Sequence, residues 1–139
     1  KQYDYCYSLY NSYDNYITFL KVINKCNLIL KDNGILIIDI FNKEWRDKLP
    51  STSYKIINKE KDEKVELFRS YDGIYETSTY RLSKRNEVQE YTYSQCVISK
   101  EMIRKIIPNG WDMQLTDSSV EGTREDNQKN ILILRKKVN

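Results

Sequence analysis

The 139 residues include no histidine. That absence excludes Ser-His and Cys-His nucleophile pairs, imidazole acid–base chemistry and histidine-ligated metals. Glycine is also scarce: Gly34, Gly73, Gly110 and Gly122 are isolated from one another, so no G-x-G-x-x-G loop can be drawn around a phosphate or nucleotide. Cys6, Cys26 and Cys96 are widely spaced and fall within strand or helix patterns. They suggest neither a disulfide framework nor a zinc site and read as small buried hydrophobes; no metal is expected. No stretch approaches the ~18 apolar residues of a membrane span, and the N-terminus has no signal-peptide pattern. The default is a cytoplasmic protein with no membrane partner. No block of one charge sign occurs either: the net charge is +3, and runs such as Lys59-Glu60-Lys61-Asp62-Glu63-Lys64 mix signs. That pattern suits a solvated surface rather than a nucleic-acid footprint.

What is present is organised around Tyr3 to Asn42. Tyr3 to Leu9 reads as a strand ending in the polar elbow Tyr10-Asn11-Ser12-Tyr13. Asp14 or Asn15 is placed to accept from the free N–H groups of a helix that runs to about Leu30. In that helix Tyr16, Phe19, Leu20, Ile23, Cys26 and Leu30 recur at three- and four-residue steps, while Lys21, Asn24 and Lys25 fall towards water. Asp32-Asn33-Gly34 is expected to end it, with Gly34 taking the positive φ. Ile35 to Phe41 is an almost unbroken apolar run, which predicts a strand buried on both faces. The unit is βαβ, right-handed by default.

Lys43 to Pro50 reads as a connector or a short helical turn. Four strand segments follow, Ser53 to Asn58, Lys64 to Tyr71, Ile74 to Leu82 and Glu87 to Val97, with a tight turn expected at Asp72-Gly73 and a reversal at Lys84-Arg85-Asn86. Val65, Leu67, Arg69 and Tyr71 alternate with Glu66, Phe68 and Ser70, as in an antiparallel meander. Tyr71, Tyr75, Tyr80, Tyr91 and Tyr93 form cross-strand pairs or line a pocket. Ser99 is a helix cap; Met102, Ile103, Ile106 and Ile107 give that helix its buried side, and Pro108-Asn109-Gly110 stops it. Met113 to Thr116 and Ile131 to Leu134 read as strands rejoining the first sheet, separated by a polar loop, Asp117 to Asn130. The chain starts at Lys1 without an initiator Met, which predicts a fragment of a longer protein.

The ordered set "YD-x-x-x-S-L-x-N-S", amphipathic helix, "L-I-L-K-D-N-G-I-L-I-I-D-I-F-N" resembles the fourth strand, following helix and fifth strand of class I S-adenosylmethionine-dependent methyltransferases. Where that family commonly has "L-K-P-G-G", Leu30-Lys31-Asp32-Asn33-Gly34 has Asp-Asn for Pro-Gly. Ser99 to Ile103 through Asn109-Gly110-Trp111 is similar to the helix closing before strand six, and Ile131 to Lys136 to the antiparallel strand seven. The fold class implied is α/β: a Rossmann-like methyltransferase half-fold, strand four to strand seven, with an inserted small antiparallel β meander. Residues 1–50 and 96–139 would form the core, and 51–95 the substrate-covering insertion.

The resemblance further implies S-adenosylmethionine as cofactor. The Gly-rich loop and acidic residues that hold it in the family have no counterpart in these 139 residues. What remains is the floor of the site, at the carboxyl ends of the strands. Leu9, Tyr10, Asn11 and Ser12 are the candidate cofactor contacts, and Tyr13, Tyr16, Phe41, Trp45 and Arg46 the candidate contacts to a small-molecule methyl acceptor. The elbow read without the resemblance is an ordinary helix-capping turn. Methyl transfer from a sulfonium is an in-line displacement governed by positioning, so it tolerates the absence of His; Tyr16, Asp39 and Glu44 are candidate bases. Asp39 also reads as a paired structural carboxylate. Arg46 and Arg124 read as surface arginines or as acidic-acceptor contacts. The alternative function is a non-catalytic module that binds a protein partner or self-associates through an uncovered sheet edge.

Overall fold

The computed structural model describes residues 1–8, 13–49, 51–116 and 129–138, with the side chains of Thr52 and Tyr54 set aside. The elbow residues Leu9, Tyr10, Asn11 and Ser12, together with Arg124 and most of the loop before Asn130, lie outside the described residues.

The first strand, β1 (Tyr3–Ser8), leads into helix α1 (Tyr16–Ile29), which starts where the side chain of Asn15 accepts from the Thr18 N–H at 2.9 Å. The helix ends one residue earlier than expected, and Gly34 does not close it. Leu30 caps it in an extended conformation, and the positive φ (62°) belongs to Asn33, inside the irregular start of β2 (Leu30–Phe41). Asn tolerates the left-handed region better than most residues. Gly34 is needed for space instead: a Cβ there would lie 2.8 Å from the Lys31 carbonyl oxygen and 3.1 Å from the Leu30 side chain. The Nζ of Lys136 donates to the carbonyls of Asn27 and Leu30, both at 2.8 Å, and so satisfies the free end of α1.

After β2 come α2 (Lys43–Asp47), then β3 (Thr52–Asn58), β4 (Glu63–Tyr71), β5 (Tyr75–Lys84) and β6 (Glu87–Cys96). The chain closes with α3 (Lys100–Ile106), β7 (Trp111–Thr116) and β8 (Lys129–Lys136). Two sheets result. One has the order β1-β2-β8-β7, with β1 parallel to β2 and β8 antiparallel to both neighbours. The other is the meander β3-β4-β5-β6, antiparallel throughout. Its tight turn is centred on Gly73-Ile74 rather than Asp72-Gly73: Gly73 has φ +95°, and the Asp72 carboxylate accepts from the N–H groups of Ile74 and Tyr75. The turn between β5 and β6 falls at Arg85-Asn86 as expected, with Arg85 at φ 52°.

The core is one-sided. Leu36, Ile38 and Ile40 of β2 and Leu132 and Leu134 of β8 share a face with Trp111, and Phe19 and Ile23 of α1 and Ile103 of α3 all join that one cluster. Burial of β2 on both faces is therefore corrected. Ile35 and Ile37 are half-buried, and their neighbours on that face, Tyr5 and Tyr7, are 66% and 75% exposed. Met102 is likewise exposed rather than buried, because Ile103 points α3 into the core.

Candidate functional site

The carboxyl ends of β1 and β2 and the adjoining start of β8 converge on one polar region. Asp39 is 4% exposed, in an otherwise apolar strand. Two residues on, Phe41 pairs across the sheet with Lys129, whose ammonium stands 4.2 Å from the Phe41 ring centroid. Burial pulls the Lys129 ammonium below the ordinary lysine range, and the Asp39 and Glu76 carboxylates oppose that shift. Asn130 is 1% exposed, and its Oδ1 has no hydrogen-bond partner among the described residues. Such an orphaned acceptor is costly to bury without a donor.

Tyr13 is the first described residue after the elbow. Its ring packs edge-on to Phe19 at 5.2 Å, and its carbonyl accepts from the Cys96 N–H at 2.6 Å, which ties the end of the meander to the start of α1. Burial holds its phenol above the ordinary value; the nearby Ser8 opposes the rise and the Asp39 carboxylate adds to it, while the hydroxyl itself meets no hydrogen-bond geometry among the described residues.

Asn42 starts α2 by accepting from the N–H groups of Glu44 and Trp45. That short helix directs Arg46 inward. Arg46 is not a surface arginine: it is buried and ion-paired with Glu76 of β5 through Nε, and its Nη1 donates to the Leu49 carbonyl at 3.0 Å. The other Glu76 oxygen accepts from Gln95 at 2.9 Å. The Arg46 guanidinium also lies 4.4 Å from the Tyr71 ring centroid, and the Tyr71 hydroxyl donates to Asp47 at 2.6 Å. Lys43 donates to Asp47, to Tyr71 and to the Gly73 carbonyl. The meander is thus fastened to the helix that directly follows β2. On the same face of the meander the rings of Tyr80 and Tyr93 stack at 6.1 Å, and the buried Arg69 Nε and Ser78 Oγ have no partner among the described residues.

The structure brings Tyr13, Asp39, Phe41 and the inward-facing Arg46 to this end of the sheet, with Trp45 half-buried beside them on α2. Tyr16 is exposed at the start of α1, and the exposed Glu44 carboxylate lies 3.8 Å from Lys100. Sequence reasoning missed Lys129, Asn130, Glu76 and Gln95. The signal for the first two was two polar residues abutting a buried strand; Glu76 and Gln95 sat in strands whose alternation read as half-wet.

No protein-family model and no curated protein matches the sequence. The fold, however, is similar to that of solved S-adenosylmethionine-dependent methyltransferases. One, an S-adenosylmethionine-dependent methyltransferase from Clostridium acetobutylicum, superposes with a TM-score of 0.73 at 13% identity over 99% of this chain and 60% of its own. The CcbJ methyltransferase from Streptomyces caelestis gives 0.72 at 10% identity, over 98% and 61%. CalS10, an amino pentose methyltransferase from Micromonospora echinaspora solved with S-adenosylmethionine bound, gives 0.59 at 9% identity, over 97% and 58%. The chain therefore spans about three-fifths of the length of these structures. The α/β methyltransferase-like fold stands on this likeness. Among the described residues no helix is long and apolar enough to cross a membrane.

Proposed function

We propose that this chain is part of an S-adenosylmethionine-dependent methyltransferase acting on a small-molecule acceptor. The observation that carries the reading is the fold likeness over nearly the whole chain, with Asp39 and Lys129 on one face of the sheet at the carboxyl ends of the strands, where open α/β sheets bind ligands. In this reading β1, β2, β7 and β8 correspond to strands four to seven of the family fold. Residues 1–50 and 96–139 are its core, and 51–95 is an insertion covering the acceptor. Leu9, Tyr10, Asn11 and Ser12 contact the cofactor, and the rest of the cofactor site lies on a segment beyond this chain. The cytoplasmic expectation belongs to the same reading.

The donor set fits the cofactor. A half-buried cation at Lys129, on the same face of the sheet as Asp39 and Phe41, suits a ligand that carries a carboxylate, as S-adenosylmethionine does. When bound, it supplies a methyl group on a sulfonium leaving group. Tyr13 and Phe41 exclude water and hold the acceptor in line. Asp39 takes the acceptor's proton, while Trp45 and Tyr16 flank the entrance. Arg46, occupied by Glu76, positions the meander rather than touching the acceptor.

The test is methyl transfer from labelled S-adenosylmethionine to a panel of small amines and hydroxyl compounds, using the protein with its upstream segment. Turnover should appear, and Asp39→Asn should lower kcat about 100-fold, the usual range for removing a general base. No transfer to any acceptor, or no binding of the cofactor by that protein, overturns the reading. Isothermal titration of the 139 residues alone should show no tight cofactor binding; tight binding would contradict the fragment assignment.

A second reading, a non-catalytic module that self-associates, is favoured by one observation, the exposed Tyr5 and Tyr7 beside half-buried Ile35 and Ile37. A monomeric mass by size-exclusion light scattering at 100 μM would sink it.

A further inference from the structure

We infer that Lys129 is a docking residue for a negatively charged group, a carboxylate, on a ligand held at the carboxyl ends of β1 and β2. The inference rests on the methyltransferase reading only for where that carboxylate comes from.

Lys129 begins β8 and is half-buried, so its side chain is not simply dissolved in water. Among the described residues its ammonium has neither an ion-pair nor a hydrogen-bond partner; it rests on the face of Phe41 alone. An aromatic face attracts a cation but accepts none of its three N–H donors in a normal hydrogen bond. The neighbouring carboxylates do not fill that role. Glu76 gives one oxygen to Arg46 and the other to Gln95, and its charge is cancelled by the guanidinium. Asp39 is buried and engaged in an interaction of its own. Burial meanwhile disfavours the charged ammonium, and an arriving carboxylate would reverse that penalty.

Other lysines of the chain show the contrast. Lys136 is shared between two helix-end carbonyls, and Lys43 between Asp47, Tyr71 and Gly73. Lys129 alone combines partial burial, an aromatic seat and a place at the ligand-binding end of the strands with no partner among the described residues. The carboxylate has two sources, the amino-acid end of the cofactor or the methyl acceptor itself.

The experiment follows the Lys129 side chain by heteronuclear NMR of lysine-labelled protein, with acetate as the simplest carboxylate probe. The Lys129 ε signals should shift on acetate addition, with Lys136 unmoved, and the shift should disappear in Lys129→Met. In calorimetry on the protein with its upstream segment, Lys129→Met should weaken the carboxylate-bearing ligand roughly 10- to 100-fold, the range for losing a hydrogen bond to a charged group. Lys129→Arg, which keeps the charge, should retain part of the affinity. Loss of S-adenosylhomocysteine affinity identifies the cofactor as the source. Loss confined to carboxylate-bearing acceptors identifies the acceptor. An acetate response without any cofactor binding would support the docking role while sinking the methyltransferase reading. Lys129 signals that ignore acetate, or unchanged affinities for both ligands in a folded Lys129→Met protein, overturn it.

Discussion

Arg46 in α2 and Glu76 in β5 form an ion pair whose side chains are only 3% and 7% exposed. The pair joins the helix that follows β2 to the second strand of the meander's central hairpin, and Gln95 and the Leu49 carbonyl complete its hydrogen bonds. Because a buried charge left without its partner is far costlier than the pair itself is favourable, this contact fixes where the meander sits.

Removing one partner should therefore be severe. Arg46→Met or Glu76→Leu is expected to cost about 3–5 kcal/mol in urea unfolding, and the double substitution less than the sum of the two. Additive losses would show that the two charges are not coupled.

The start of β2 gives a paired prediction about backbone. Gly34→Ala pushes a methyl group against the Lys31 carbonyl oxygen and should destabilise by about 1–3 kcal/mol. Asn33→Gly, at φ 62°, should be tolerated within about 0.5 kcal/mol, since glycine relieves the left-handed strain but loosens the unfolded chain. If Gly34→Ala proves neutral in thermal melts, the close approach is not rigid.

Asp47 carries an acid-dependent contribution. Its hydrogen bond from Lys43 first, then that from Tyr71, holds the carboxyl below its ordinary value of 3.8. A depressed folded value stabilises above the unfolded value, and the contribution is lost as pH falls through the folded one. Wild type should exceed Asp47→Asn in stability at pH 6 by less than about 1 kcal/mol, the carboxylate being half-exposed. The gap should close below pH 3. A gap that persists in acid would assign it to packing.

Cys26 should be a poor nucleophile. Burial, with Cys6 beside it, pushes its thiol up to about 11. At pH 8 alkylation by iodoacetamide should then run roughly 100-fold slower than in the unfolded chain, because the thiolate is the reacting form. Mass spectrometry of the labelled peptides in native buffer and in guanidinium gives the ratio; equal rates would refute the shift.

Local features were legible. The three-to-four spacing of Phe19 and Ile23, the caps Asn15 and Ser99, and the alternation about Leu67 and Phe68 are written within a few residues of each other, and the helices and strands stand where those signals placed them. The candidate site was legible only in part. Asp39 drew notice because a carboxylate interrupted an apolar run, whereas Lys129 and Asn130 looked like the end of a loop.

By itself, then, the sequence determined the βαβ unit, the meander and the strand that returns antiparallel, since period, capping and turn chemistry act between near neighbours. Only the tertiary structure decided that Arg46 faces inward, that Lys136 closes α1 across 109 residues, and that Lys129 lies on Phe41 without an acceptor among the described residues. Whether a charge is buried, paired or left waiting depends on what a distant strand brings to it, and no local pattern carries that information.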